Sequence, residues 1–169
     1  MTDRVIMGAN WYVDRLNCRL GLVQCRMPRL TKAKDAFVAG GGFFRLAIPY
    51  EIEELEAQFS MRGSHEQVRK LFGYEPGEYT TFYYYERLRD IMAGRNVGRV
   101  VMLKGLVNEV EQSQVRGKKG EDVQYTIGSI VLYHDIHDGQ TVHKFDFRNN
   151  QLVMDGVDYS LEHNQLVAA

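Results

Sequence analysis

The sequence predicts a mainly β (α+β) domain, an antiparallel β-sandwich or partly open barrel with one short packed helix. Three observations carry that expectation. Polar and apolar residues alternate with a period of two, hairpin-turn dipeptides recur in the C-terminal half, and one segment carries a clear helix signature. A chain of 169 residues suits a single domain, residues 1–169. Such a chain can bury roughly two thirds of the surface that its unfolded form exposes. With 44% apolar and 25% charged residues it is neither a disordered tail nor a membrane protein.

Taken in order, residues 21–27 form a short, mostly apolar candidate strand halted by Pro28. Residues 29–43 follow as an extended loop or arm. Its Gly40, Gly41 and Gly42 permit backbone conformations closed to other residues, and Phe37, Phe43 and Phe44 supply apolar contact. From 54 to 61, Glu54, Glu56, Gln58 and Ser60 alternate with Leu55, Ala57, Phe59 and Met61. Successive strand side chains point to opposite faces, so one face is wet and the other dry. The helix comes next. Ser64 and Gln67 have the spacing of a capping box, Val68, Leu71 and Phe72 form its apolar stripe, and Gly73 stands where helices stop. At barely three turns it is marginal alone and must dock on the sheet.

Residues 80–88 carry the run Phe82, Tyr83, Tyr84, Tyr85, which suits a pleated surface; 85–92 also suits a helical turn. Two long candidate strands, 99–114 and 122–137, are joined by a charged tip of Arg116, Gly117, Lys118, Lys119 and Gly120. Asp138-Gly139 marks a tight hairpin, and Asn149-Asn150 and Asp155-Gly156 repeat the signal. The last strands are therefore short, and the tail after Tyr159 is expected to be irregular.

Composition and motifs narrow the function. Acids and bases nearly cancel, 22 against 21, so overall charge gives no support to phosphate gripping. Cys18 and Cys25 are too few for a disulfide framework and read as thiols in a reducing compartment. The N-terminus lacks the continuous apolar core of a signal peptide, and no apolar run reaches the roughly 20 residues of a membrane helix, so no membrane anchor is expected. On a strand, His134 and His137 point to opposite faces. Asp135 and His137 alone fall short of a zinc ligand set, so no metal and no cofactor is expected. The triple glycine is not followed by the Lys-Ser/Thr of a phosphate loop, and nothing orders Ser, His and Asp into a triad; no catalytic residue is assigned. Two rival classes are a β-sandwich carbohydrate-binding module, displaying aromatics on a flat face, and a small hydrolase using Asp135 and His137.

Strand edges bear unpaired backbone groups that other chains can use. Proline, a common edge blocker, occurs only at Pro28, Pro49 and Pro76. Strand pairing between subunits follows as an expectation.

An ordered set of residues runs through the chain. It comprises Asn10, Trp11, Asp14 and Gly21; Pro28, Leu30 and Thr31; the glycine-rich loop before the strand and helix of 54–73; then Ile127-Gly128-Ser129-Ile130, Asp138-Gly139, Asp146, Asn149 and Gly156-Val157-Asp158. In this the chain resembles the major tail tube protein of contractile-tailed phages, the P2-like type. It departs at Asp14-Arg15, at Gly42-Phe43 and in its Val-Ala-Ala ending. The resemblance implies a structural virion protein without enzymatic activity. Hexameric rings, each closed as a ring-wide β-barrel, would stack into the inner tube of a contractile tail, the conduit for DNA ejection. It implies as partners other copies of the chain, a sheath protein, a tape-measure (ruler) protein, baseplate proteins and DNA passing without specific binding. The expected place is the virion tail, with host cytoplasm during assembly. On this basis Pro28, Leu30, Thr31, Phe37, Gly40, Gly41, Gly42, Phe43 and Phe44 form an inter-ring loop, and Glu54, Glu56, Gln58 and Ser60 are candidates to line the lumen.

Overall fold

The computed structural model describes residues 3–117 and 122–169. In chain order these form β1 (Arg4–Val13), β2 (Leu16–Asn17), β3 (Leu22–Arg26), β4 (Lys32–Val38), β5 (Arg45–Ile52) and β6 (Ala57–Arg62). A short helix α1 (Glu66–Arg69) then runs into a 3-10 turn (Lys70–Gly73). After it come β7 (Thr80–Asp90), β8 (Asn96–Gln112), β9 (Asp122–His137), β10 (Gln140–Asp146), β11 (Gln151–Met154), β12 (Val157–Asp158) and α2 (Ser160–Leu166). The tip residues Lys118, Lys119 and Gly120 lie outside the described residues.

The architecture is mainly β, antiparallel and sandwich-like, and its barrel is not closed. Its spine is the ladder of β8 on β9, which is bent in the middle. Lys104 pairs with Leu132 while Leu106 pairs with Gly128, so three residues of β9 bulge opposite one of β8. Ser129 takes a positive φ of 47° in that bulge. Beyond the bend the two halves of β9 take different neighbours on the same edge. Residues 122–127 pair with β6, and residues 132–137 pair with β10. The sheet therefore forks into one limb carrying β6 and β3, and another running from β12 through β10, β9, β8 and β7 to β1.

The core fills the space between the limbs. Trp11 of β1 and Phe82 of β7 meet Phe59 of β6, with ring centroids at 4.9 and 5.8 Å from the indole. Phe59 in turn stacks on Tyr125 of β9 at 4.9 Å. Every second residue of β7 (Thr80, Phe82, Tyr84, Glu86, Leu88, Asp90) is buried, which is the period-two pattern of a half-buried strand. Leu55, Ala57, Phe59 and Met61 are all buried, so the dry face falls where the alternation puts it. Val68 and Leu71 close the side of the core from the helical turn.

Several expectations hold and others are corrected. Residues 85–92 do not coil: β7 pairs along its length with β1 and β8, and two ladders outweigh one turn of helix. Asp138-Gly139 and Asp155-Gly156 adopt paired positive φ angles (51° and 77°, 52° and 74°), as a type I′ turn needs. The capping box of Ser64 and Gln67 does not form. His65 occupies the N-cap, makes no side-chain cap bond, and the helix tightens after one turn because its carbonyls must reach over the sheet. The strand of 54–61 starts only at Ala57, since the chain crosses from one sheet to another through residues 53–56. The tail after Tyr159 is helical. Asp158 accepts hydrogen bonds from the backbone N–H and the hydroxyl of Ser160, the first helical residue. Asn164 and Asn150 then clamp α2 to the turn between β10 and β11.

The bend explains two glycines. A Cβ on Gly105 would lie 2.7 Å from the carbonyl oxygen of Gly128, and one on Gly128 would lie 2.2 Å from the Asn108 side-chain nitrogen. The first obstacle is backbone and cannot swing aside. Gly105→Ala is expected to destabilise the fold by about 1–3 kcal/mol. Gly98→Ala, with nothing within 4 Å of its Cβ position, should stay within about 0.5 kcal/mol of wild type. Chemical denaturation of the two variants checks the contrast.

Candidate assembly interface

The segment expected as an extended loop is a β-hairpin. β4 and β5 pair only with each other, from Lys32 opposite Ile52 to Val38 opposite Arg45, as a two-stranded sheet of their own. Pro49 fits within β5 because a register shift between Lys32 and Lys34 accommodates the donor it lacks. Backbone Glu53 N–H donates to Thr31 C=O at 2.8 Å and closes the base. The turn is set by a bond from Gly42 N–H to Ala39 C=O at 2.9 Å. Gly40, Gly41 and Gly42 do not adopt positive φ, so they bring no forbidden conformation to the native turn. Their effect is bareness: no side chain screens the two residues that follow.

Those residues, Phe43 and Phe44, are 96% and 87% exposed. Phe37, Val38, Leu46 and Tyr50 of the same hairpin are also exposed. Burying a Phe side chain is worth about 1.5–3 kcal/mol. A contiguous exposed group of this kind marks an interaction surface. Of the remaining inter-ring candidates, Pro28 is buried at the hairpin's root, Thr31 is half-buried and Leu30 is exposed.

Two strand edges lie open as well. β2 and the residue after it cover β1 only from Trp11 to Val13, so among the described residues Arg4–Asn10 has a strand neighbour on the β7 side alone. Val5, Ile6 and Met7 on that stretch are exposed. β3 likewise pairs only with β6. Neither edge carries proline or a lysine, the usual guards against pairing.

Of the four lumen candidates, Glu54, Glu56 and Gln58 line one polar cleft, where Gln58 donates to Glu56 at 3.3 Å. Gln58 and Ser60 share the outer face of β6 with Gln24 and Gln124. Gln124 donates to Gln58 at 3.2 Å, and Gln24 lies 3.5 Å from the Ser60 hydroxyl. Ser60 is thereby buried, contrary to the wet-face expectation, because the long amides of its neighbours cover it. Glu54 and Glu56 sit on the crossing segment, exposed, beside Arg26 and Arg29 in that cleft.

Inside the fork lies a charged network that sequence reasoning missed. Arg99 grips Asp135 through two bonds of 3.0 and 2.8 Å and approaches Glu86 at 3.5 Å. Tyr84 donates to Glu86 at 2.8 Å, and Tyr133 to Asp135 at 3.4 Å. Hydrogen bonding to Asp135 holds the Arg99 guanidinium above its ordinary value. Burial, reinforced by Asp135, pushes the Tyr133 phenol up to about 12, and burial beside Glu86 takes the Cys25 thiol to about 12. Each shift favours the resting protonation state at neutral pH, and the bonds tie β7, β8 and β9 together. Only the register of Glu86 opposite Arg99 opposite His137 hints at this network, and register is not written in one sequence.

The hydrolase reading loses its acid here, since Asp135 is buried and bound to Arg99. His137 instead contacts the Arg4 guanidinium at 2.6 Å, and His134 pairs with Thr141 at 3.0 Å on the other face. Exposed aromatics are divided between the hairpin (Phe37, Phe43, Phe44, Tyr50) and scattered sites such as Phe72, Phe147 and Tyr159, and the sheet's Tyr83 and Tyr85 stack on one another at 6.4 Å. That is a poor platform for sugar rings.

An exposed hairpin, two open edges and an interior with its charges paired define a structural subunit whose surfaces exist for other chains. A comparison with family models makes the class specific. The model of the phage tail tube protein FII family matches residues 3–166, nearly the whole chain, and the chain belongs to that family. No curated protein matches it significantly. The protein is thus a structural tail tube protein of a phage, located in the virion tail, and the family is one that assembles into a tube rather than one of enzymes.

The network yields one test. Asp135→Ala leaves Arg99 partly buried with only the longer contact to Glu86. The expected loss is about 2–4 kcal/mol, below the upper range for buried pairs because the Arg99 side chain keeps 26% of its exposure. Urea unfolding monitored by the fluorescence of Trp11, the sole tryptophan, reads it directly.

Proposed function

We propose that the whole chain acts as one tail-tube domain, six copies of which close into a ring, with rings stacking to form the inner tube of a contractile tail. The tube is the conduit for DNA ejection. A sheath protein surrounds it, a tape-measure protein sets its length, baseplate proteins found it, and assembly takes place in the host cytoplasm. The observation that carries this reading is the pair of open edges, β1 and β3, neither of which holds proline or lysine. Backbone groups on such edges find partners in a neighbouring copy, and a ring abolishes the free edge. The hairpin β4–β5, with Pro28, Leu30 and Thr31 at its root, is the arm that reaches the next ring. Its exposed Phe37, Phe43 and Phe44 are the residues that gain from stacking.

Glu54, Glu56, Gln58 and Ser60 lie toward the lumen in this reading. With Glu53, the carboxylates of Glu54 and Glu56 outnumber Arg26 and Arg29 in the cleft they share with Gln58, so the face keeps a negative balance that repels phosphate. DNA then slides without sticking.

Electron microscopy of the purified chain tests the assembly. Rings and tubes are expected from wild type, whereas Val5→Lys with Ile6→Lys should leave a folded monomer, because charged side chains on an edge oppose strand pairing. Unimpaired tubes from that variant would remove the β1 edge from the ring contact. For the lumen, Glu56→Lys with Gln58→Lys should leave tubes intact and slow DNA ejection from assembled particles, measured by dye release. Unchanged ejection places this face elsewhere.

A further inference from the structure

Besides the exposed hairpin tip, the structure holds an apolar groove. Open and about 690 Å³ in volume, it runs between the base of the hairpin, the bulge of β9 and the β10–β11 pair. This is within the ~300–1,000 Å³ of clefts that hold compact apolar groups. Ile52, Leu55, Ile130, Phe145, Leu152 and Met154 give it an apolar lining. Its rim is acidic: Glu51, Glu53 and Glu54 stand against Lys32, while Asp146 is held by the turn between β10 and β11. The tip has the opposite character. Across residues 39–45 its chemistry is Phe43, Phe44 and Arg45, two bare aromatics beside a cation, with no acid.

We propose that Phe43 and Phe44 of one copy seat in this groove of a second copy, with Arg45 meeting the carboxylates of its rim. The inference rests on the arm reading above and adds its acceptor. A chain cannot fill its own groove. Lys32, Tyr50 and Ile52 line it from the hairpin's base, and the seven residue steps of β5 back to Arg45 carry the tip roughly 24 Å away. Donor and acceptor are different patches of the same molecule, so the contact is head-to-tail; with ring closure left to the strand edges, this contact is free to propagate from one ring to the next. That is the symmetry a growing stack needs.

A charge exchange tests it in the full chain. Glu51 and Glu53 are exposed, so Glu51→Lys with Glu53→Lys leaves the fold intact by circular dichroism. That variant, and Arg45→Glu alone, should each raise the protein concentration needed for tube growth about tenfold, as close interfacial charge pairs do. The triple variant should return to within about threefold of wild type. A second arm mixes Phe43→Ser/Phe44→Ser chains with Met154→Asp chains. Neither grows alone, but together they possess one good junction, and sedimentation velocity should show growth that stops after that junction. If the tip variant fails to stack while every groove variant stacks as wild type, the arm stands and the groove is wrong; another protein then occupies it. If the tip variant stacks normally, both fall. Absence of rescue in the triple variant also overturns the pairing.

Discussion

Everything in this molecule hangs on the bend in the β8–β9 ladder. A straight ladder of that length would make an open sheet with one face bare. The bulge at Ser129, and the close approach of Gly105 to the Gly128 carbonyl, turn the ladder over so that its two halves face each other. Trp11, Phe82, Phe59 and Tyr125 can stack only because of that turn. The same bend divides one edge of β9 between β6 and β10, which places the hairpin's root and the β10–β11 pair on either side of a groove.

Core and interface follow opposite rules as a result. The interior pairs its buried charges: Arg99 binds Asp135 and approaches Glu86, and two tyrosines donate to the same carboxylates. Such a network favours one arrangement of strands over slipped alternatives, since a one-residue shift would carry the carboxylates to the other face. The exterior leaves apolar side chains and backbone groups unmet, on β1, on β3 and above all on the hairpin. A packed interior beside an unfinished surface is the physical signature of a building unit.

Local rules made much of this legible. Alternation located β6 and its buried face, glycine after aspartate located two type I′ turns, and the aromatic run located β7. What escaped depended on partners distant in sequence. The helix cap at Ser64 looked sound locally, yet docking moved the start to His65. α2 was hidden because Asp158, its anchoring acceptor, belongs to the turn signal before it. The arm was recognised as protruding, but its strand pairing was not, since Lys32–Val38 lacks alternation when both faces meet solvent. Of the candidate interface, the aromatic tip was readable and the acidic groove was not; its walls come from stretches of chain far apart in sequence, from Lys32 to Met154.

The hairpin's independence from the larger sheet has a mechanical consequence. Its strands are hydrogen-bonded to each other and joined to the body through the chain at residues 29–31 and 53–56. Rocking it by some degrees therefore breaks no ladder bonds, while its own pairing keeps it stiff along its length. A rod jointed at one end transmits tension but yields to shear. In the stack proposed above, links of this kind would let the tube curve under side load and straighten again with every link still engaged.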